Sequence, residues 1–212
     1  MKHLWLSLLA LLLVASLTVS CSSSDDSTPS DDTTQTDDTS DDDPSIAAAS
    51  FTDVSYGDNP QQVYDIYLPE DRSEDKTKVI ILVHGGGWIE GDKADMAEIL
   101  AQIRADFPDH AVVNMNYVLA NPGAGVPAFP NQFLDIDRVI DQLTAQRGEL
   151  LILPEFGLLG TSAGAHISLM YDYVYDEDDQ VKFVADIVGP TDFTDPFYAD
   201  DPNFDLLLQF LV

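Results

Sequence analysis

A serine stands at the centre of the pattern Gly-x-Ser-x-Gly in the segment Gly160 to Gly164. The apolar run Phe156 to Leu159 precedes this segment, and a helical pattern follows it. A serine on such a strand-to-helix turn presents its hydroxyl at the carboxyl edge of a sheet, where it can attack a carbonyl carbon. Ser162 is therefore the candidate nucleophile of an acyl-transfer reaction.

A run of three glycines, Gly85 to Gly87, lies between His84 and Trp88, directly after the apolar run Val79 to Val83. Acyl transfer passes through an oxyanion, and glycines allow the backbone to turn N–H donors towards it. We expect three N–H groups to form this oxyanion hole, those of Gly86, Gly87 and Ala163. His84 and Gly85 are expected to support the loop. The alternative is a phosphate-binding loop, but neither the Walker nor the dinucleotide spacing is present.

Histidines and carboxylates that could assist the serine are poorly placed in the sequence. His84 begins the glycine loop, and His110 precedes an apolar run, which puts it at the opposite edge of the sheet. His166 lies one turn into the helix after the serine, so its side chain should point away from the reacting face and pack in the core. Asp192 and Asp195 follow a later apolar run and remain candidates for the triad acid, although such side chains commonly cap turns and helices.

The elements that must position these residues follow from the apolar periodicity. Six apolar runs bounded by Gly, Pro, Asn or Asp predict strands at 51–56, 63–68, 79–83, 111–117, 156–159 and 181–188. Helical spacing predicts helices at about 96–107, 133–143 and 163–175. The short turn at 57–60 favours an antiparallel first pair, and the four later strands should be parallel and covered on both faces. This arrangement is a doubly wound α/β fold with a mostly parallel sheet.

Further motifs extend the pattern, at 64–69 (Tyr-Asp-Ile-Tyr-Leu-Pro), 91–93 (Gly-Asp-Lys), 116–117 (Asn-Tyr), 129–130 (Phe-Pro) with Asp135, and 189–192 (Gly-Pro-Thr-Asp). With them, the chain resembles the α/β-hydrolases of the bacterial feruloyl and acetyl esterase group (BD-FAE-like). These proteins are relatives of the hormone-sensitive-lipase-like carboxylesterases and of kynurenine formamidase. The resemblance implies hydrolysis of acetyl, feruloyl or other short acyl esters, carried by small molecules or polysaccharides. It also implies an acyl-enzyme on Ser162, with no metal and no organic cofactor.

The same resemblance implies that the acid and the histidine of the triad follow later strands, beyond Val212. The stretch 206–212 is almost wholly apolar, so we expect the fold to be truncated at its C-terminus. We therefore expect the 212-residue chain by itself to be inactive, because it lacks the acid and the histidine. Two alternatives remain open, an amidase or peptidase with the same chemistry and a catalytically inert surface binding module or fragment. The intact serine turn and glycine loop argue against the inert module.

The N-terminus predicts export. Residues 1–20 combine Lys2 with an apolar run that closes on small residues, as signal peptides do. Cys21 follows directly, and residues 17–21 resemble the acylation site of a bacterial lipoprotein of the Bacteroidetes type. The alternative is an ordinary signal peptide with an incidental cysteine. We therefore expect a lipid on Cys21 to hold the protein at the outer membrane or cell surface, with periplasmic or secreted locations as alternatives.

Composition divides the rest of the chain. Residues 22–45 contain nine aspartates and no basic residue, which predicts that 21–45 form a disordered linker. Residues 46–212 are long enough for one hydrolase domain. Their formal charge is −21, from 29 acidic and 8 basic residues. A surface of this sign disfavours nucleic acid as a partner.

Overall fold

A six-stranded sheet forms the centre of residues 45–211, the part of the chain that this computed structural model describes. The expected signal peptide, the expected lipidation site Cys21 and the expected linker as far as residue 44 lie outside the described residues. Near the start of the described chain, the N–H of Ile46 donates to Oδ1 of Asp71 over 3.1 Å. The guanidinium of Arg72 donates to the carbonyl of Ala47 over 2.6 Å. These bonds fix the beginning of the domain to the loop after the second strand.

The strands are β1 (Ala49–Ser55), β2 (Val63–Leu68), β3 (Val79–Val83), β4 (Ala111–Met115), β5 (Phe156–Thr161) and β6 (Val181–Ile187). Their order across the sheet is β1-β2-β4-β3-β5-β6. β2 pairs antiparallel with both β1 and β4, whereas the neighbouring pairs among β3 to β6 are parallel. The predicted α/β fold, with antiparallel strands at its start and a mostly parallel sheet, is confirmed.

The helices are α1 (Ala97–Asp106), α2 (Asn131–Ala145), α3 (Arg147–Leu150), α4 (Ala163–Val174), α5 (Pro196–Ala199) and α6 (Phe204–Leu211), with 3-10 turns at Lys93–Met96 and Pro122–Ala124. They cover both faces of the central strands. In β3, Ile81 packs into the cluster that holds the apolar faces of α2 and α4, while Ile80 and Leu82 pack into the cluster beside α1. Burial of each such side chain contributes about 2 kcal/mol, which is why β3 carries no polar residue.

Two predicted strands differ from the observed ones in a way that concerns the site. β4 ends at Met115, two residues earlier than predicted, because Tyr117 turns out of the sheet and its hydroxyl donates to the carbonyl of His84. The prediction that the later strands are covered on both faces is wrong for β6, where Phe183 is 53% exposed and Ile187 is 39% exposed. Within residues 45–211, β6 pairs only with β5 and therefore lies at the end of the sheet.

Among residues 45–211, no helix combines the length and the apolar character needed to cross a bilayer.

Candidate active site

Ser162 occupies the turn between β5 and α4, and its side chain is exposed there. Its backbone has φ 51° and ψ −117°, a conformation that costs a non-glycine residue about 1–3 kcal/mol. The turn is fixed from outside the helix, because the N–H of Ser162 donates to the carbonyl of Ile187 at the end of β6 over 2.8 Å. The serine is therefore held at the carboxyl edge of the sheet in a strained conformation.

Gly164 allows α4 to begin directly against the end of β3. A Cβ at this position would lie 2.2 Å from the carbonyl oxygen of Val83 and 2.3 Å from that of His84. No side chain fits at these distances, so only glycine permits the contact. The second glycine of the Gly-x-Ser-x-Gly pattern thus brings the serine turn and the start of the glycine loop together.

The glycine loop lies beside Ser162. A Cβ built on Gly85 would be 3.3 Å from the Cβ of Ser162. Gly86 has φ 117° and Gly87 has φ 54°, so the chain turns sharply at both residues. Within residues 45–211, no backbone acceptor receives the N–H of either glycine. Ala163 is the first residue of α4, where a backbone N–H has no acceptor within the helix. The three N–H groups expected to form the oxyanion hole therefore have no backbone acceptor in the described part of the chain.

Hydrogen bonds within the glycine loop and from Tyr117 hold the loop in place. The N–H of Glu90 donates to the carbonyl oxygen of Gly86 over 3.0 Å. The hydroxyl of Tyr117 donates to the carbonyl oxygen of His84 over 3.0 Å. The rings of His84 and Tyr117 stack with their centroids 4.3 Å apart. Nδ1 of His84 lies 2.6 Å from the carbonyl oxygen of Gly85, which requires a proton on that nitrogen. Burial lowers the pKa of His84, so the ring is neutral at pH 7 and acts as a support.

The segment Gly91 to Lys93 fixes the far end of the loop. Asp92 caps the following 3-10 turn by accepting from the N–H of Ala94 over 2.8 Å, and it also accepts from the amide of Asn116 over 2.9 Å. The ammonium of Lys93 pairs with Asp65 on β2 over 2.8 Å. The Gly-Asp-Lys motif thus joins the glycine loop to β2 and to the residues that follow β4.

Two side chains that the sequence analysis left without a role hold the loop from α2. Gln132 is fully buried, and its Nε2 donates to the carbonyls of Trp88 over 2.8 Å and Val118 over 3.0 Å. Asp135 accepts the N–H of Val118 over 2.8 Å and pairs with Arg138 over 2.7 Å. Both interrupt the apolar face of α2, and a polar residue at such a position is a signal of a buried hydrogen bond.

His166 lies in an aromatic cluster on α4 and is 8% exposed. Its ring centroid is 5.6 Å from that of Trp88 and 5.2 Å from those of Phe129 and Phe193. Burial lowers its pKa from 6.5 to about 4, although the charge of Asp186 opposes the shift. His110 precedes β4, at the amino end of that strand. Among the described residues, no hydrogen bond joins a histidine ring to the hydroxyl of Ser162.

Asp192 and Asp195, the two candidates for the acid, are exposed and form local hydrogen bonds. Oδ1 of Asp192 accepts from the N–H and the hydroxyl of Thr194 over 2.8 and 2.6 Å, and these bonds lower the pKa of the carboxyl. Oδ1 of Asp195 accepts the N–H of Phe197 over 2.8 Å at the start of α5. Within 45–211, neither carboxylate accepts a hydrogen bond from a histidine.

Residues 45–211 contain no group of three or more His, Cys, Asp or Glu side chains arranged to hold a metal ion.

Comparison with known proteins gives the family. A sequence profile of the BD-FAE family matches residues 64–205, which include the serine turn and the glycine loop. The chain belongs to the BD-FAE family. The match ends close to the start of α6 and begins one residue into β2, so the BD-FAE domain contains every residue of the candidate site.

Other relatives of this BD-FAE domain are more distant. Arylacetamide deacetylase from Bos taurus is 26% identical over 171 residues, which are 76% of this chain and 41% of that protein. Esterase B from Lactobacillus rhamnosis, solved with a tributyrin phosphonate inhibitor, is 25% identical with a TM-score of 0.53, over 77% of this chain and 54% of that one. Carboxyl esterase 2 from Tuber melanosporum is 19% identical with a TM-score of 0.60, over 80% of this chain and 58% of that one. The chain thus spans about half the length of these relatives and shares their α/β-hydrolase fold.

Proposed function

We propose that this BD-FAE protein is a serine hydrolase of carboxylic esters, with Ser162 as its nucleophile. The observation that carries the proposal is the position of the glycine loop, since a Cβ on Gly85 would lie 3.3 Å from the Cβ of Ser162. The strained turn exposes Ser162, and the N–H groups of Gly86, Gly87 and Ala163 have no backbone acceptor among the described residues. An acyl-transfer site requires this combination of a nucleophile and preset donors.

The proposed reaction uses the serine turn and the glycine loop. Oγ of Ser162 attacks the ester carbonyl carbon, and the carbonyl oxygen becomes an oxyanion that accepts hydrogen bonds from Gly86, Gly87 and Ala163. Collapse of this intermediate releases the alcohol and leaves an acyl-enzyme, which water hydrolyses. A base must accept the proton of Ser162. His84 is buried and supports the glycine loop, His110 lies at the amino edge of the sheet, and His166 is packed in the aromatic cluster. The proposal therefore takes the base and its acid from residues outside those described.

The expected acyl groups are short. The bovine relative is named as a deacetylase, and the Lactobacillus esterase was solved with a tributyrin phosphonate inhibitor. We therefore expect acetyl esters to be the first substrates to examine and feruloyl esters the second. An amide substrate with the same acyl group distinguishes an esterase from an amidase.

The proposal is tested with the product of the complete gene and p-nitrophenyl acetate. We expect Ser162→Ala to lower kcat by about 10⁶-fold, to the residual rate of a site without its nucleophile. Ser168→Ala is the matched control, because Ser168 lies on the same helix and its hydroxyl only donates to the carbonyl of Gly164. Equal activity of the Ser162→Ala variant and the parent protein would refute the proposal.

A second proposal concerns location and rests on the sequence alone. The protein is exported and held at the outer membrane or cell surface by acyl chains on Cys21, with the ester substrate as its partner and no nucleic acid bound. The acidic charge of the domain and the signal-like N-terminus support it. Metabolic labelling with radioactive palmitate should mark the wild-type protein but not Cys21→Ser. Labelling of both proteins, or recovery of the wild type in the soluble fraction, would count against a lipid at this cysteine.

A further inference from the structure

Gln132 on α2 is a fully buried side chain whose amide binds two loops at once. Its Nε2 donates to the carbonyl oxygens of Trp88 over 2.8 Å and Val118 over 3.0 Å. A carbonyl oxygen can only accept, so these bonds fix which side of the amide carries the NH₂ group. Oε1 of Gln132 has no partner within residues 45–211, so every hydrogen bond of this amide in the described part goes to those two loops.

A path of hydrogen bonds leads from this amide to a proposed oxyanion donor. The carbonyl of Trp88 belongs to the same peptide group as the N–H of Ile89. That N–H donates to the carbonyl oxygen of Gly86 over 3.2 Å. The carbonyl of Gly86 in turn belongs to the same peptide group as the N–H of Gly87, which is proposed for the oxyanion hole. Two hydrogen bonds and two peptide groups therefore connect Gln132 to this N–H.

The planarity of the peptide group transmits direction along this path. In a trans peptide the N–H points opposite to the C=O, so a Gly86 carbonyl held towards Ile89 directs the N–H of Gly87 the other way. The N–H of Glu90 also donates to the Gly86 carbonyl, over 3.0 Å, so loss of the donor to Trp88 would turn this peptide group rather than release it. Hydrogen bonds in a chain also polarise one another, which strengthens the last donor.

The backbone of the glycine loop needs support from outside. Trp88 has φ 68°, which is unusual for a bulky residue, and Gly86 and Gly87 also have positive φ. Glycine adopts positive and negative φ about equally, so the two glycines do not fix their own conformation. The carbonyl of Trp88 accepts from Gln132 and from the N–H of Ala120, over 2.8 and 2.9 Å. Of these two donors, only Gln132 can be removed by substituting a side chain.

We propose that Gln132 is a positioning residue of the esterase site, which directs the N–H of Gly87 at the oxyanion through the carbonyls of Trp88 and Gly86. Its effect on rate rests on the proposed esterase function. Gln132 is 0% exposed and acts without touching the substrate. The oxyanion forms only after Ser162 has attacked, so a misdirected donor lowers kcat and leaves KM nearly unchanged.

Two variants and a matched control separate positioning from packing. Gln132→Met removes both donations and keeps an unbranched side chain of similar length. Gln132→Asn keeps an amide but withdraws it by one methylene group. The control is Gln142→Met on the same helix, because Nε2 of Gln142 also donates to a carbonyl, that of Ser55 on β1, over 3.3 Å. The protein used is the product of the complete gene, and urea unfolding establishes that each variant is folded.

Hydrolysis of p-nitrophenyl acetate gives the kinetic test. We expect both Gln132 variants to lower kcat by roughly 10- to 100-fold and to keep KM within about twofold of the wild type. Gln142→Met should keep both constants within about twofold. An unchanged kcat in folded Gln132→Met, or an equal fall in Gln142→Met, overturns the proposal. Failure of both Gln132 variants to fold also overturns it, because Gln132 would then be a residue of the core alone.

The direction of the Gly87 N–H bond is measured without any substrate. Residual dipolar couplings from NMR report the direction of each backbone N–H. We expect the coupling of Gly87 to change in Gln132→Met and to stay unchanged in Gln142→Met. An unchanged coupling in Gln132→Met refutes the positioning role even where the wild type hydrolyses esters. A changed coupling, in a protein whose wild type hydrolyses no ester, refutes the esterase and keeps Gln132 as the residue that directs this N–H.

Discussion

Acidification should destabilise the domain through His166. The ring is buried among Trp88, Phe129 and Phe193, and burial lowers its pKa to about 4, against 6.5 for an exposed histidine. Between pH 6.5 and pH 4 the unfolded chain binds a proton at this residue that the folded chain does not bind. The free energy of unfolding therefore falls as the pH falls through this window.

The magnitude follows from the two pKa values. Each unit of difference corresponds to about 1.4 kcal/mol, so the full effect below pH 4 is about 3 kcal/mol. Between pH 7 and pH 5 the expected loss from His166 is about 2 kcal/mol, because the folded ring is still neutral at pH 5 while the unfolded ring is almost fully charged.

Urea unfolding of the product of the complete gene, measured at pH 7 and pH 5, provides the assay. The many carboxylates of the domain also titrate, so the informative quantity is the difference between wild type and His166→Phe. This variant keeps an aromatic ring and removes the titrating group, and we expect it to lose about 2 kcal/mol less on acidification. Phe129→Leu is the matched control, because it disturbs the same cluster without removing a titratable group.

The reasoning is refuted if His166→Phe loses as much stability between the two pH values as the wild type does. A direct check is the titration of the His166 ring by NMR. A midpoint above pH 6 would mean that the ring is solvated and that the aromatic cluster does not exclude water from it.

Two further predictions concern the serine turn. Ser162→Gly should raise the free energy of unfolding by about 1 kcal/mol relative to Ser162→Ala, because glycine adopts φ 51° without strain. Thermal unfolding of the two variants is the measurement, and equal stabilities would mean that the strain is absent. Gly164→Ala should lower stability by about 3 kcal/mol, since its Cβ meets the carbonyl of Val83 at 2.2 Å. Gly148→Ala, whose Cβ would have no neighbour closer than 3.6 Å, is its control in urea unfolding, and similar losses would contradict the steric argument.

The sheet and its main helices could be predicted from the sequence because their apolar periodicity is strong and glycine, proline or aspartate bounds each run. The serine turn and the glycine loop could also be predicted, since each follows a buried strand. Both motifs are local in the sequence. Their constraints act on neighbouring residues, which is the range over which residue spacing is informative.

The roles that could not be predicted depend on contacts between distant segments. Gln132 and Trp88 are 44 residues apart, and only the packing of α2 brings them together. The polar interruption of α2 indicates a buried hydrogen bond but does not identify its partner. The exposure of Phe183 on β6 also depends on distant segments. An apolar strand pattern indicates which residues can be buried, but it does not indicate which element packs on them.

The bond from the N–H of Ser162 to Ile187 also has a kinetic consequence. β6 is synthesised after α4, so a growing chain contains the whole Gly-x-Ser-x-Gly segment before the strand that fixes its strained serine exists. Until β6 docks, the hydrogen bond that holds this turn from outside the helix is absent, so we expect Ser162 to relax towards an ordinary backbone conformation. We therefore expect the strained geometry of the serine turn to form late in folding.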